Sequence, residues 1–232
     1  MPNFSPKADS LASGAMGGGD ETCASAQILD LGSELEQRAS GTLAFAFRDN
    51  PINRAVIRAN RAHRLRVNAH GMTASLVASR RFSFRKVLCE EPAHAPEVAD
   101  GEISGGLIAL HPGGYPAALP PVSVQLRCLW GQGFRIMHRW GQLYRQLDEW
   151  HPTEPHCYLS LLAVHPARQR RGFGRRLLDT WLADVDARKM PGYLETDRQE
   201  LVAFYQSAGF EVERELEAFG TTVWCMSRAA RV

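Results

Sequence analysis

The residues with the clearest capacity for chemistry form a glycine-containing loop in the C-terminal third of the chain. The loop, residues 169–174, reads Gln-Arg-Arg-Gly-Phe-Gly. Gly172 and Gly174 lack the Cβ atoms that would keep a ligand away from the main-chain amides. Arginines make strong charged hydrogen bonds to phosphate oxygens. Five of them lie within nine residues here: Arg168, Arg170, Arg171, Arg175 and Arg176. This pattern predicts a binding site for a phosphate or pyrophosphate.

Two predicted elements must hold this loop in place. Residues 158–164 are almost wholly apolar and predict a strand buried on both faces. Residues 172–188 predict a helix, because apolar side chains repeat along one face at Phe173, Leu177, Leu178, Trp181, Leu182 and Val185. The first turn of such a helix leaves N–H groups unpaired, and its dipole favours an anion there. Together these features favour an anion site over a tight turn beside a solvated arginine face.

The glycine spacing argues against two common phosphate-binding loops. A dinucleotide-binding loop needs a third glycine where Leu177 stands, and no acidic residue closes a clear second strand about 20 residues later. A P-loop needs a Gly-Lys-Ser/Thr ending, which is absent. The remaining pattern is Gln-x-x-Gly-x-Gly. A nucleotide-binding α/β protein of another type stays open at this point.

Two segments in order resemble the GNAT family of N-acetyltransferases. Residues 169–174, which follow Val164-His165-Pro166, resemble the family's acetyl-CoA-binding motif. Residues 194–196 (Leu-Glu-Thr) and 204–210 (Phe-Tyr-Gln-Ser-Ala-Gly-Phe) are similar to the family's "LET … FYxxxGF" segment, in the same order and spacing.

Other segments are similar to one branch of that family, the puromycin N-acetyltransferase-like branch. They are residues 150–159 (Trp-His-Pro-Thr-Glu-Pro-His-Cys-Tyr-Leu) and 224–226 (Trp-Cys-Met). Residues 46–51 and 111–116 resemble the branch more loosely. The strong resemblance covers about residues 150–228.

The resemblance implies a fold and a reaction. The fold would be α/β, with a mixed, mostly antiparallel, twisted central sheet flanked by helices and splayed between its two central parallel strands. The interleaving of predicted strands and helices independently indicates an α/β protein with a mixed sheet. The reaction would be direct transfer of an acetyl group from acetyl-CoA to a primary amine of a small molecule.

The resemblance also implies which residues bind the cofactor. Backbone groups of Leu162, Ala163 and Val164 would bind pantetheine. The pyrophosphate would be held by the loop and the start of its helix: Gln169, Arg170, Arg171, Gly172, Phe173, Gly174 and Arg175.

Tyr205 is the implied general acid, which would protonate the departing CoA thiolate; the alternative is an aromatic packing residue beside Phe204. Many family members carry asparagine seven or four residues before this tyrosine, whereas this chain has Arg198 and Leu201. A side-chain amide contact to the cofactor would then be missing. This departure leaves open a second function, that of a non-catalytic, regulatory acyl-CoA-binding module of the same fold.

The general base is less defined. Attack on a thioester needs a neutral amine, so some group must accept the amine's proton. Glu154 and His156 lie just before the strand that reaches the active centre and are the favoured candidates. Glu195 at the end of the next strand, or a chain of water molecules, are alternatives.

Composition and charge exclude several other classes of protein. The 232 residues are 44% hydrophobic and 22% charged, with a net charge of +2. This balance gives no reason to expect nucleic acid or a membrane as partner. No apolar run approaches the ~20 residues that span a bilayer, and no secretory signal is apparent. We therefore expect a cytoplasmic protein, a monomer or homodimer, whose five cysteines are free thiols and which holds no metal.

The chain is predicted to be a flexible tail, residues 1–25, followed by a single domain, residues 26–232. The first helix is expected at 26–38 and one or two helices at 52–80, after a turn or helix start at Pro51. Strands are expected at 81–90 and 103–110 with a loop between them. Helix follows at 125–150, broken near Gly131 or Gly133. The last elements are a strand at 192–196, a helix at 200–208, and strands at 210–215 and 221–227.

Overall fold

The computed structural model describes residues 26–90 and 102–231. The predicted tail at 1–25 lies outside the described residues, as does the predicted loop at 91–101. The strands are β1 (Ala26–Asp30), β2 (Ser83–Glu90), β3 (Glu102–Leu110), β4 (Cys157–Val164), β5 (Gly192–Thr196), β6 (Glu211–Ala218) and β7 (Thr221–Arg228). The helices are α1 (Glu36–Phe47), α2 (Pro51–Val56), α3 (Arg61–Ala78), α4 (Val122–Gln132), α5 (Phe134–Asp148), α6 (Phe173–Ala187) and α7 (Gln199–Gln206).

The strands form one seven-stranded sheet in the order β1-β2-β3-β4-β5-β7-β6. Neighbouring strands are antiparallel except β4 and β5, which are parallel. This mixed, mostly antiparallel sheet flanked by helices confirms the predicted fold class.

The two parallel strands separate along their length. They pair at only three positions, ending at Leu159 and Leu194, while β4 stays paired with β3 as far as Val164. We call the gap beyond these last paired residues the fork. A register shift between β3 and β4 leaves Ser160 at the fork without a cross-strand partner. Ser160 is exposed, so β4 is less buried than predicted at this position.

The helices pack on opposite faces of the sheet. On what we call the α6 face, Trp181 of α6 and Tyr205 of α7 share a core with Leu194 of β5. On the opposite α1 face, Leu43 of α1 and Leu76 of α3 pack together with the first strands. Helices α2 and α5 pack against β6 and β7 in a third cluster. Because side chains alternate along a strand, Leu194 points to the α6 face while its neighbours in β5 point to the α1 face.

The predicted first helix at 26–38 is wrong. Residues Ala26–Asp30 form β1, an edge strand whose five residues pair with β2, and α1 begins only at Glu36. The apolar residues in this segment fit a helical period, but pairing with a formed sheet outweighs so short a pattern. The chain then turns at Gly32, whose N–H donates to the carbonyl of Asp30 at 3.0 Å.

The other predicted elements within the described ranges are confirmed to within a few residues. The stretch at 52–80 is α2 and α3, with Pro51 in the first turn of α2. The predicted break in the next helical stretch falls at Gly133, whose φ of 79° ends α4 and begins α5. Helices α6 and α7 and strands β5 to β7 follow as predicted.

Three further properties concern only the part of the chain that the structure describes. Cys89, Cys128, Cys157 and Cys225 are buried free thiols. No helix is both long and apolar enough to cross a membrane. No group of three or more histidine, cysteine, aspartate or glutamate side chains is placed to hold a metal ion.

Candidate active site

The glycine loop joins the end of β4 to the start of α6. After β4, residues Pro166–Arg168 make one turn of 3₁₀ helix, and the Gln169 side-chain amide donates to the carbonyl of Val164 at 3.1 Å. The backbone then passes through two left-handed residues, Arg170 (φ 64°) and Gly172 (φ 77°). These turns place the N-terminus of α6 beside the end of β4.

The first turn of α6 offers hydrogen-bond donors to a ligand. Gly172 is its N-cap and has no side chain that could cap the helix, so the first amides of α6 receive no acceptor from the N-cap residue. A Cβ on Gly174 would lie 3.9 Å from both Val164 Cγ2 and Phe204 Cζ. Gly174 therefore faces the space between the end of β4 and α7. An anion placed there would meet main-chain N–H groups and the positive end of the helix dipole.

The arginines near this loop are less available than their spacing suggests. Arg168 and Arg171 both pair with Glu90 of β2, at 2.8 and 3.2 Å. Arg175 pairs with Asp179 at 2.7 Å. Arg170 is exposed and forms no ion pair or side-chain hydrogen bond with any described residue. Of the arginines predicted to bind the pyrophosphate, Arg170 is therefore the one whose guanidinium is most available to a ligand.

A cleft of about 650 Å³ opens at the carboxyl ends of β4 and β5. Its lining includes Gln169, the end of α1, and Asp197 just after β5. The Asp197 carboxylate accepts from the N–H of Ile52 at 2.8 Å and from the Asn50 side chain at 3.3 Å. Burial raises the pKa of Asp197. These hydrogen bonds fix the start of α2 to the end of β5 and so shape the cleft wall.

Tyr205 lies on the α6 face beside the fork. It is buried in the same cluster as Val164 and Leu194, and its ring contacts Phe204 and Phe210, with centroids 5.1 and 6.1 Å apart. Burial, together with the charge of Asp197, raises the pKa of the Tyr205 hydroxyl above its usual value. The hydroxyl is therefore a proton donor at neutral pH.

Residues 135–212 match the family model of the acetyltransferase (GNAT) domain. Several solved structures have the same fold over nearly their whole length. One is a histone acetyltransferase HPA2 and related acetyltransferase from Corynebacterium glutamicum, with TM-score 0.63 and 16% identity, over 90% of this chain and 98% of that chain. This chain has the GNAT fold.

Two further structures with the GNAT fold are similar to this chain. Arylalkylamine N-acetyltransferase 2 from Aedes aegypti has TM-score 0.57 and 14% identity, over 89% of this chain and 99% of that chain. The PaiA N-acetyltransferase from Thermoplasma acidophilum, solved in complex with coenzyme A, has TM-score 0.51 and 14% identity, over 88% and 99%.

In this GNAT fold the predicted base candidates lie at the other end of β4. Glu154 is exposed, and its backbone oxygen is 2.7 Å from Nδ1 of His156. His156 is half-buried, and burial lowers its pKa. Glu195, the alternative candidate, has a side chain only 9% exposed. The structure brings His156 and Glu195 into one cluster, to which Glu154 contributes its backbone.

That cluster is completed by residues that the sequence did not single out. His151 lies between the two candidates, 3.0 Å from His156 and 3.6 Å from Glu195. Its ring stacks on Tyr115, with a centroid distance of 3.5 Å. The rings of Tyr158 and Tyr193 also lie nearly perpendicular to it, with centroid distances of 4.8 and 5.0 Å. The one available signal was the spacing of Tyr193 and Glu195, which places them on one face of β5.

Proposed function

We propose that this protein is an acetyl-CoA-dependent N-acetyltransferase, an acyltransferase of the EC 2.3.1 type. It would transfer the acetyl group directly to a primary amine of a small molecule. The observation that carries the proposal is the uncapped N-terminus of α6 beside a fork in the sheet, with the Tyr205 hydroxyl on the same face. The match of residues 135–212 to the acetyltransferase domain supports the same reaction.

Cofactor binding is proposed at the fork and the glycine loop. On the side facing β5, none of the described strands pairs with the main chain of Leu162, Ala163 and Val164. The Val164 carbonyl accepts from the Gln169 side chain; the other main-chain groups here are available to hydrogen-bond pantetheine in the way that they would bond a neighbouring strand. The amides of residues 169–174 and the start of α6 would bind the pyrophosphate, with Arg170 adding charge. The Thermoplasma acidophilum protein, which shares the fold, was solved with coenzyme A, and this supports the choice of ligand.

The proposed chemistry needs two proton transfers. Acetyl-CoA, when bound, supplies a thioester whose carbon the neutral amine attacks. Tyr205 would give its proton to the sulfur as the carbon–sulfur bond breaks, because a thiol leaves more easily than a thiolate. A base on the amine side must take the proton that the nitrogen loses.

A small acceptor is proposed from the size of the cleft, since about 650 Å³ falls within the range typical of small-molecule sites. The residues at 150–159 and 224–226 support placement in the puromycin N-acetyltransferase-like branch. A cytoplasmic location and a monomeric or homodimeric state stay predictions from the sequence.

The proposed function is tested in two steps. Acetyl-CoA, NAD and ATP are compared by thermal shift, and acetyl-CoA is expected to raise the melting temperature most. Thiol release from acetyl-CoA is then measured with a panel of primary amines. Stabilisation by NAD or ATP but not by acetyl-CoA would contradict the cofactor assignment. Acetyl-CoA binding without thiol release for any amine would favour a non-catalytic acyl-CoA-binding module.

Arg170→Ala is expected to weaken acetyl-CoA binding by about 5- to 150-fold, the effect of losing one charged hydrogen bond worth about 1–3 kcal/mol. Alanine keeps the Cβ, so the conformational cost of the left-handed backbone at this position is unchanged. Titration calorimetry measures the change in Kd.

The matched control is Arg188→Ala. Arg188 also carries one positive charge next to α6, but it follows the opposite end of the helix, where it pairs with Asp184. This variant should bind acetyl-CoA like the parent. Equal weakening in both variants would assign the effect to net charge rather than to a contact at the loop.

A further inference from the structure

A chain of polar contacts runs from the surface to the fork on the α1 face. It begins at the carbonyl of Glu154, passes through His156 and His151, and ends at the carboxylate of Glu195. The three spacings are 2.7 Å to His156 Nδ1, 3.0 Å between the two Nε2 atoms, and 3.6 Å from His151 Nδ1 to Glu195 Oε1.

The first two contacts fix where the protons sit when both histidines are neutral. A carbonyl oxygen only accepts, so Nδ1 of His156 carries the proton and its Nε2 is an acceptor. The Nε2 of His151 must then be the donor to His156. This leaves Nδ1 of His151 with a lone pair and no proton.

The series of polar contacts therefore lacks a proton at its Glu195 end. Nδ1 of His151 is buried and has no hydrogen-bond partner among the described residues. It faces Glu195 Oε1 at 3.6 Å, and two acceptors cannot hydrogen-bond to each other. A single added proton between these atoms would turn the contact into a charged hydrogen bond. The geometry thus provides a vacant place for one proton.

This vacancy lies at the fork. Glu195 is the first residue of β5 beyond its last pair with β4. Its side chain points to the α1 face, opposite to that of Leu194, which shares its core with Tyr205. The proposed acid and the vacancy therefore lie on opposite faces of the sheet, with the fork between them.

The surroundings favour a cation. No lysine or arginine forms an ion pair with Glu195 within the described ranges. Aromatic rings pack against His151 instead, with Tyr115 stacked on it and Tyr158 nearly perpendicular to it. The hydroxyl of Tyr193 is also buried without a hydrogen-bond partner among the described residues. A buried carboxylate without a charged partner among the described residues suits an alkylammonium group.

We propose that Glu195 and His151 together receive the proton of the acceptor amine, and that His156 passes it to the surface at Glu154. This inference rests on the proposed function and names the base that it leaves open. It also defines the acceptor class as amines that arrive protonated.

The proton and electron counts balance in this scheme. The ammonium R–NH₃⁺ gives one proton to the Glu195–His151 pair and becomes R–NH₂. Its lone pair then forms the nitrogen–carbon bond, and the sulfur takes the electron pair of the broken carbon–sulfur bond. Tyr205 protonates the CoA sulfur. Of the two protons that the nitrogen loses in the whole reaction, one restores the proton of Tyr205 and the other leaves from His156 to water at the surface.

Glu195→Gln tests the proposal, because glutamine keeps the shape of the side chain and removes the anion. For a strongly basic alkylamine, kcat/KM is expected to fall by about 10²-fold or more. For methoxyamine, which is neutral at pH 7, the loss should be at least tenfold smaller. Acetyl-CoA affinity should be unchanged. Equal losses for both amines would overturn the proposal, since a residue that only shapes the pocket would affect both alike.

His151→Gln should show the same dependence on amine basicity. Glu217→Gln serves as the control. The side chain of this exposed glutamate of β6 accepts a hydrogen bond from Thr222, and the variant should match the parent. If either Glu195→Gln or His151→Gln fails to fold, the other still decides the outcome.

A second measurement does not depend on activity. ¹⁵N NMR of the parent protein reports which ring nitrogen of each histidine is protonated. The expected result at neutral pH is a proton on Nδ1 of His156 and on Nε2 of His151. A proton on Nδ1 of His151 would fill the vacancy and overturn the proposal even if no amine proved to be a substrate. If NMR finds the expected tautomers but the protein does not release thiol with any amine, the proposed function is rejected and the tautomer assignment stands.

Discussion

Tyr205→Phe is expected to lower turnover by about 10²–10⁴-fold, the usual contribution of one general acid, while acetyl-CoA affinity stays within about threefold. The variant keeps the ring that packs against Phe204 and Phe210 and removes only the hydroxyl. Without a donor near the sulfur, the intermediate must expel a thiolate, which raises the barrier. Steady-state thiol release with an active amine gives turnover, and calorimetry gives the affinity.

The pH dependence gives a second check on Tyr205. A general acid works in its protonated form, so its contribution is lost as pH rises through its pKa. Because burial raises the pKa of Tyr205 above its usual value of about 10, that loss should begin only above pH 10. The parent should therefore show no basic limb from Tyr205 between about pH 8 and 10. Unchanged turnover in Tyr205→Phe would leave Tyr205 as a packing residue of the α6-face core.

Local sequence patterns were enough to predict the fold around the proposed cofactor site. The apolar strand before residues 169–174 and the apolar stripe on α6 are each contiguous in sequence, so their periods could be read directly. The failure at residues 26–30 has the opposite cause. Whether that segment forms a strand depends on β2, which lies more than 50 residues away, and no local pattern carries that information.

The arginine cluster at residues 168–176 also shows that local sequence patterns do not predict long-range contacts. Spacing alone suggested that five cations converge on one anion. In the structure Arg168 and Arg171 meet Glu90, which is about 80 residues upstream and reaches them because β2 lies two strands from β4. The number of positive charges at residues 168–176 could be counted from the sequence, but the acidic residues that pair with these arginines could not be predicted from it.

The proposed proton acceptor was still harder to find. His151 precedes β4, Glu195 lies on β5, and Tyr115 belongs to the segment after β3, so only the folded sheet brings them together. Each of these residues alone fits a structural role. Their proposed joint role as a proton acceptor depends on the histidine tautomers, which the hydrogen bond to the Glu154 carbonyl sets. Those tautomers follow from the geometry of the fold and not from the residue types.

Gly174→Val is expected to weaken acetyl-CoA binding by about 30-fold or more, equivalent to about 2 kcal/mol, while the protein remains folded. A Cβ at this position meets Val164 and Phe204 at ordinary contact distance, so the backbone has no need to move. The two additional methyl groups of valine would extend into the space through which a phosphate must approach the first amides of α6. Titration calorimetry with acetyl-CoA measures the loss.

Two further variants separate obstruction of the site from a change in helix stability. Gly174→Ala adds only the Cβ and should have an intermediate effect on binding. Gly141→Val makes the same substitution in α5, at an exposed position where a Cβ has no neighbour within 4 Å. It carries the same helix-propensity change and should bind acetyl-CoA like the parent. If Gly174→Val also binds like the parent, the pyrophosphate does not sit on the N-terminus of α6, and the proposed cofactor site is misplaced even if the protein acetylates amines.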